Sequence, residues 1–144
     1  MIKIIQGGIA SDNRGQIRFV NDFDMSLVKR FYLIKNSDTN PSRGWRAHKI
    51  EKRWFYAISG SFLLSFVKID DWNCPNQLSE IDQILINSEE NKLVYFPPGF
   101  GTVFKALEPN SELLVFADHL LDHADKDNYT YPLDYFLKFN NSCY

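Results

Sequence analysis

The stretch that decides the fold is Arg43-Gly44-Trp45-Arg46-Ala47-His48-Lys49, which runs on through Arg53-Trp54-Phe55-Tyr56-Ala57-Ile58-Ser59 to Gly60. In its second half Trp54, Tyr56 and Ile58 alternate with Phe55, Ala57 and Ser59. Both faces are therefore largely apolar, as in a strand inside a two-sheet sandwich. Its first half sets polar chemistry directly before that strand. Arg46 and His48 share one face of an extended chain, because alternate residues point the same way. Arg53 is an odd number of residues away and reads as a surface or rim residue, and Glu51 and Lys52 read as solvated. Phe62 to Ile69 reads as the partner strand, making a hairpin about Ser59-Gly60-Ser61.

Towards the N-terminus, Leu27 to Lys35 and Gln16 to Val20 read as strands, and Ile2 to Gln6 as an edge strand turned by Gly7-Gly8. Asp12-Asn13-Arg14-Gly15 carries tight-turn chemistry, with Asn and Gly able to take positive φ. Asn36 to Ser42 has loop composition. Towards the C-terminus, Asp70 to Ser79 reads as a surface excursion, and Ile81 to Ile86 and Lys92 to Phe96 as strands, the latter closed by Pro97-Pro98-Gly99. Val103 to Leu107 and Leu113 to Ala117 frame the turn Glu108-Pro109-Asn110-Ser111 as a last hairpin. After Asp118 comes a polar segment with His119, Asp122 and His123, then an aromatic run from Tyr129 to Phe136 that reads as a short helix or an arm lying on the barrel. About ten short strands with turns every 8 to 12 residues argue for an all-β sandwich or barrel.

The chain has 144 residues, the size of a single domain spanning 1–144. Its formal net charge of −2, with no dense basic cluster, excludes nucleic acid as the expected partner. No run approaches the roughly 18 apolar residues of a spanning helix, so no membrane partner is expected. Met1 to Ile5 is apolar only briefly, and Gln6-Gly7-Gly8 ends it before a signal-peptide core forms, so the expected location is cytoplasmic. Cys74 and Cys143 are the only cysteines and read as free thiols.

Anchored on Gly60, the opening stretch can be laid on the first cupin motif, in which H-x-H is followed by Glu, then six residues and a Gly. The two His positions fall on Arg46 and His48, and the Glu position on Arg53. The His of the second motif, counted from Pro97-Pro98-Gly99, falls on Thr102. Three of the four metal-ligand positions thus hold Arg46, Arg53 and Thr102, side chains unsuited to a metal. No metal and no cofactor are expected.

Further pieces complete a resemblance. Asp12-Asn13-Arg14-Gly15, the strand Val28 to Ile34, the step Arg43-Gly44, the triplet Ala47-His48-Lys49, the turn Ser59-Gly60-Ser61-Phe62 and the tail from Asp127-Asn128-Tyr129 to Tyr135-Phe136 resemble the nucleotide-sugar 3,4-ketoisomerases of the RmlC-like cupin superfamily. Pro97-Pro98-Gly99-Phe100 is similar to a turn of the related dTDP-4-dehydrorhamnose 3,5-epimerases. The resemblance implies a double-stranded β-helix, the cupin jelly roll, and a metal-free isomerase of dTDP-4-keto-6-deoxyhexoses that removes a proton beside the ketone. The alternative is a non-catalytic cupin that binds a sugar or nucleotide-sugar. The first His of the ketoisomerase pattern R-G-x-H-A-H-K is replaced by Arg46, which also removes the epimerase base, whereas the ketoisomerase base position is retained as His48.

That chemistry needs a base, a proton donor and cations for the diphosphate. His48 supplies an imidazole, Tyr32 or Tyr56 a phenol, and Arg14, Arg43 and Arg46 guanidiniums that bind phosphate bidentately. Trp45 and Thr102 complete the expected substrate-binding set; Trp45 belongs, with Trp54 and Tyr56, to an aromatic group that suits either ring stacking or core packing. His119 and His123, four residues apart, read as a solvated helix face in preference to a metal site. A homodimer is expected, since a small barrel exposes sheet edges that a second copy can cover.

Overall fold

The computed structural model describes residues 1–40 and 44–139. Arg43 and Cys143, singled out above, lie outside the described residues. Twelve strands are found among the described residues: β1 (Lys3–Gln6), β2 (Gly8–Asp12), β3 (Gly15–Phe19), β4 (Arg30–Asn36), β5 (Trp45–His48), β6 (Arg53–Ser59), β7 (Ser61–Lys68), β8 (Asp82–Asn87), β9 (Lys92–Phe96), β10 (Phe100–Ala106), β11 (Ser111–Ala117) and β12 (Tyr129–Tyr131). A single-turn helix, α1 (Leu121–Ala124), precedes the last strand.

The strands form two five-stranded sheets, β1-β9-β6-β11-β4 and β12-β5-β10-β7-β8, with β2 and β3 as a separate ribbon. From β4 to β12 the chain changes sheet at each connection except β7 to β8. This alternation is a double-stranded β-helix, the expected jelly roll.

Two expected hairpins are corrected by it. β6 and β7 lie in opposite sheets, as do β10 and β11, so the turns at Gly60 and at Glu108–Ser111 are bridges between layers. Turn chemistry is local and serves either geometry; the choice is made by distant partners. β6 is claimed by β9 and β11, and β7 by β8 and β10. Gly60 takes φ 71° at this bridge, and a Cβ there would come within 2.0 Å of the Ser111 hydroxyl. No other residue type fits that position without displacement. The expected turn at Gly7-Gly8 is also revised, since Gly8 opens β2, which pairs with β3 across the Asp12–Gly15 turn.

Between the sheets lie Phe55, Phe62, Leu64, Ile86, Val94, Leu113 and Val115, all almost fully buried. Each such side chain contributes about 1.5–3 kcal/mol through removal from water. Near the cavity end, Phe96 packs edge-on against Phe55 at 5.5 Å and Phe66 at 5.3 Å. A second cluster covers the outer face of the β5 sheet, where Trp45, Ala47, Val67 and Val103 meet Phe136 and the tyrosines of the C-terminal segment. The aromatic run is therefore an arm on the barrel that opens with β12, and the short helix α1 lies in the polar segment before it. Among the described residues no helix is long and apolar enough to cross a membrane.

Candidate active site

The site is built where β5 ends. Sheet pairing places His48 opposite Phe100 and Arg46 opposite Thr102, so all four face into the barrel. A cavity opens there, lined by His48, Glu51, Arg53, Phe55, Phe96, Pro97, Phe100 and Thr102. The Pro97-Pro98-Gly99 turn is tied down on both sides. Gly99 N–H donates to the His48 carbonyl at 2.8 Å, and Ile69 N–H donates to the Gly99 carbonyl at 2.9 Å.

His48 is 7% exposed, and its Nδ1 lies 2.7 Å from the backbone carbonyl of Asp127. A carbonyl only accepts, so Nδ1 carries the proton and Nε2 is left with its lone pair. Nε2 is buried and has no hydrogen-bond partner among the described residues. Burial lowers the imidazole pKa to about 4, helped by the charge of Arg53 and opposed by Asp127 and Glu51. The ring is thus neutral at pH 7.

The loop between β5 and β6 is held by Asp127. Its carboxylate accepts the backbone N–H groups of Lys49 at 2.7 Å, Ile50 at 2.9 Å and Glu51 at 2.8 Å. Asp127 therefore fixes the His48 ring through its carbonyl and the adjoining turn through its side chain. Gly44 allows the segment to come this close, since a Cβ there would stand 2.3 Å from the Tyr131 carbonyl on β12.

Glu51 lies under two guanidiniums. Arg53 Nε donates to Oε1 at 2.9 Å, and Arg30 Nη2 lies 3.4 Å from both carboxylate oxygens. Arg30 also donates from Nε to the His119 carbonyl at 3.0 Å. Both guanidiniums stand over the Tyr32 ring, at 5.3 Å for Arg30 and 5.9 Å for Arg53. Tyr32 thus reaches the inner face next to the cavity, and its hydroxyl has no hydrogen bond among the described residues.

The structure brings His48 and Thr102 into one cavity, with Arg46 on the adjacent row and Tyr32 beside Arg53. It separates the others. Trp45 points the opposite way from His48 and is fully buried, edge-on to Phe136 at 5.1 Å, so it is a core residue and not a substrate contact. Tyr56 lies on the outer face of β6, where its hydroxyl donates to the Asn91 side chain; it is removed from the acid candidates. Arg14 sits at the tip of the β2–β3 ribbon, 86% exposed and paired with Asp12, apart from the cavity lining. His119 and His123 stack with centroids 4.2 Å apart, and no group of three or more His, Cys, Asp or Glu side chains among the described residues is placed to hold a metal.

Glu51 and Arg53 are the principal corrections. Expected at the surface, they are 2% and 9% exposed and line the cavity. Arg30 and Asp127 were not anticipated either. A usable signal existed for Arg53: it occupies a ligand position of the first motif, and those positions face inward whatever residue fills them.

Solved structures share the fold. The chain is similar to the WlaRB TDP-quinovose 3,4-ketoisomerase from Campylobacter jejuni, at 25% identity and TM-score 0.67 over 96% of this chain and 98% of that one. It is similar to QdtA, a sugar 3,4-ketoisomerase from Thermoanaerobacterium thermosaccharolyticum solved in complex with TDP, at 22% identity and TM-score 0.70 over 95% and 93%. The 3'-monoepimerase ChmJ from Streptomyces bikiniensis superposes at 19% identity and TM-score 0.73 over 96% and 73%. No curated protein matches the chain in sequence. Residues 1–141 match the sequence model of the FdtA family, described as WxcM-like, C-terminal, and the chain belongs to that family.

Proposed function

We propose that the protein is a metal-free isomerase of dTDP-4-keto-6-deoxyhexoses, of the 3,4-ketoisomerase or epimerase kind. The observation that carries this reading is the bare, buried Nε2 of His48 in a cavity at the retained base position. The similarity to a TDP-quinovose 3,4-ketoisomerase over nearly the whole chain supports it. Arg46, Arg53 and Thr102 at the ligand positions supply no metal-binding group, so the chemistry rests on proton transfer.

In this reading His48 Nε2 takes the proton from the carbon beside the ketone. The C–H electron pair becomes the carbon–carbon double bond, and the carbonyl π pair moves onto oxygen. Return of a proton to the neighbouring carbon, with transfer between the two oxygens, completes the ketoisomerisation. Return to the original carbon from the other face completes an epimerisation. Tyr32 is the proposed proton donor to oxygen. Thr102 and Arg46 are proposed substrate contacts; Arg46 is half-buried, faces inward and forms no hydrogen bond or ion pair with the described residues, as a guanidinium awaiting an anion would.

The test is incubation with dTDP-4-keto-6-deoxyglucose in deuterated water, followed by NMR. Label at C4 with the ketone moved to C3 identifies ketoisomerisation, label at C3 alone with the ketone still at C4 a 3-epimerisation, and label at both C3 and C5 a 3,5-epimerisation. Binding without label identifies the alternative, a non-catalytic nucleotide-sugar-binding protein in which Arg46 serves the anion alone.

We also propose a homodimer. β4 is an edge strand whose outer face exposes Phe31 and Leu33 at 65% and 53%, and Ile17 of the β2–β3 ribbon is 66% exposed. Sedimentation giving a monomer at micromolar concentration would overturn this.

A further inference from the structure

We infer that Arg53 builds an oxyanion site beside His48, presenting its two terminal nitrogens to the cavity. Resting on the isomerase reading, that site takes the oxygen of the enolate formed when His48 removes the proton. The assignment starts from how the guanidinium is used. Only Nε is bound, to Glu51 at 2.9 Å, while Nη1 and Nη2 have no hydrogen-bond partner among the described residues. Those nitrogens are not sealed off either: among the described residues the buried side-chain atoms without partners are His48 Nε2 and Asn36 Oδ1. Arg53 lines the cavity, so they meet its open space.

Charge points the same way. Glu51 is shared by Arg30 and Arg53, so this ion cluster carries one positive charge more than it neutralises. The side chains are 21%, 11% and 0% exposed for Arg30, Arg53 and Glu51, leaving little water to screen the surplus. Arg30 is occupied by Glu51 and the His119 carbonyl, and the nearby Asp127 carboxylate by three backbone N–H groups. Of the three inward guanidiniums Arg53 is the one that lines the cavity, and its terminal donors are unspent. Preorganised donors aimed at developing charge, in a site that excludes water, give large rate effects.

The site also answers a difficulty with the base. An imidazole weakened by burial and by the Arg53 charge is a poor proton acceptor in the empty cavity. As the enolate oxygen gains charge against Arg53, it cancels that charge as felt at His48. The imidazolium becomes easier to form as the reaction proceeds, so acid and anion rise together.

The experiment uses the full chain as Arg53→Gln and Arg53→Lys. Nitrate, a planar monoanion, is titrated while the His48 ring resonances are followed by NMR, and deuterium exchange into dTDP-4-keto-6-deoxyglucose is timed. Nitrate should shift the His48 resonances of the unaltered protein, bind at least 10-fold more weakly to Arg53→Gln, and recover in part with Arg53→Lys. Exchange should fall about 10²–10³-fold in Arg53→Gln, the loss seen when one oxyanion donor is removed, with TDP affinity changed less than about 3-fold by the same expectation. Unchanged nitrate binding, or exchange within a few-fold of the unaltered protein, overturns the inference. So does a parallel loss of TDP affinity, which would make Arg53 a phosphate contact. If the unaltered protein binds nitrate through Arg53 yet exchanges no deuterium, the isomerase reading fails and the anion site stands. Should Arg53→Gln not fold, the Arg53→Lys titration decides between the same outcomes.

Discussion

His48 and Asp127 are joined by a single hydrogen bond of 2.7 Å, from Nδ1–H to a backbone carbonyl, across 79 positions of sequence. That bond sets the tautomer and so decides which nitrogen faces the cavity. Because the acceptor is main chain, no side-chain substitution at 127 deletes it outright; only displacement of the segment does.

Acidity should expose the buried imidazole. The folded-state pKa lies near 4, below the ordinary 6.5. The unfolded chain therefore takes up this proton first as pH falls. The stabilising contribution is complete above about pH 6.5, is lost as pH falls towards 4 and levels off below, with a total on the order of 3 kcal/mol. Urea unfolding at pH 7.5 and 4.5 should show a smaller acid loss in His48→Asn than in the unaltered protein. Equal losses would show that another group governs the acid limb.

Asp127→Ala should remove the acceptor of three loop N–H groups. The Glu51 N–H is buried and the other two are part-buried; leaving a buried donor unpaired costs about 1–3 kcal/mol and the part-buried ones less, so the denaturation midpoint should fall. Asp127→Asn keeps one acceptor oxygen and should retain part of the stability. The isomerase reading adds that exchange slows in both variants, with a steeper fall in Asp127→Ala.

Glu51→Gln keeps the shape of the side chain but leaves the Arg30 and Arg53 charges facing each other across it. Removing one partner from a buried ion pair destabilises by about 3–5 kcal/mol. Thermal unfolding should reveal that loss, and added nitrate should restore more stability to this variant than to the unaltered chain. A neutral result would mean that water already screens the cluster.

Tyr32→Phe deletes a hydroxyl that has no partner among the described residues, so folding stability should change by less than about 0.5 kcal/mol, as for substitutions that break no contact. If Tyr32 donates the proton, the exchange rate should fall by about 10²-fold or more, a typical acid–base contribution. TDP affinity should stay the same. An unchanged rate would return Tyr32 to a purely packing role under its two guanidiniums.

Much of this architecture is legible in the chain because alternation is a short-range signal. Alternation gives β9 at its observed bounds, and most other strands within a few residues. Sheet membership was not legible, since Gly60 and the Glu108–Ser111 turn use residues equally suited to a hairpin. At the site, the face shared by Arg46 and His48 followed from their spacing within β5. The same parity, applied to Trp45, puts it opposite His48, and its aromatic character alone suggested a ligand contact. Arg53 was misplaced for a different reason. Counting parity from β5 into β6 fails because Lys49 to Lys52 crosses between sheets and resets the inward face. Asp127 and Arg30 are brought in by tertiary contacts alone, and no local pattern announces them.

The span from His48 to Asp127 also bears on synthesis of the chain on the ribosome. His48 emerges early, but the carbonyl that orients its ring belongs to a segment made 79 residues later. A nascent chain holding all of the cavity-lining residues still lacks the acceptor. The His48 ring is thereby fixed in one tautomer only after the C-terminal segment has docked; on the isomerase reading, a partly made chain would lack an oriented base.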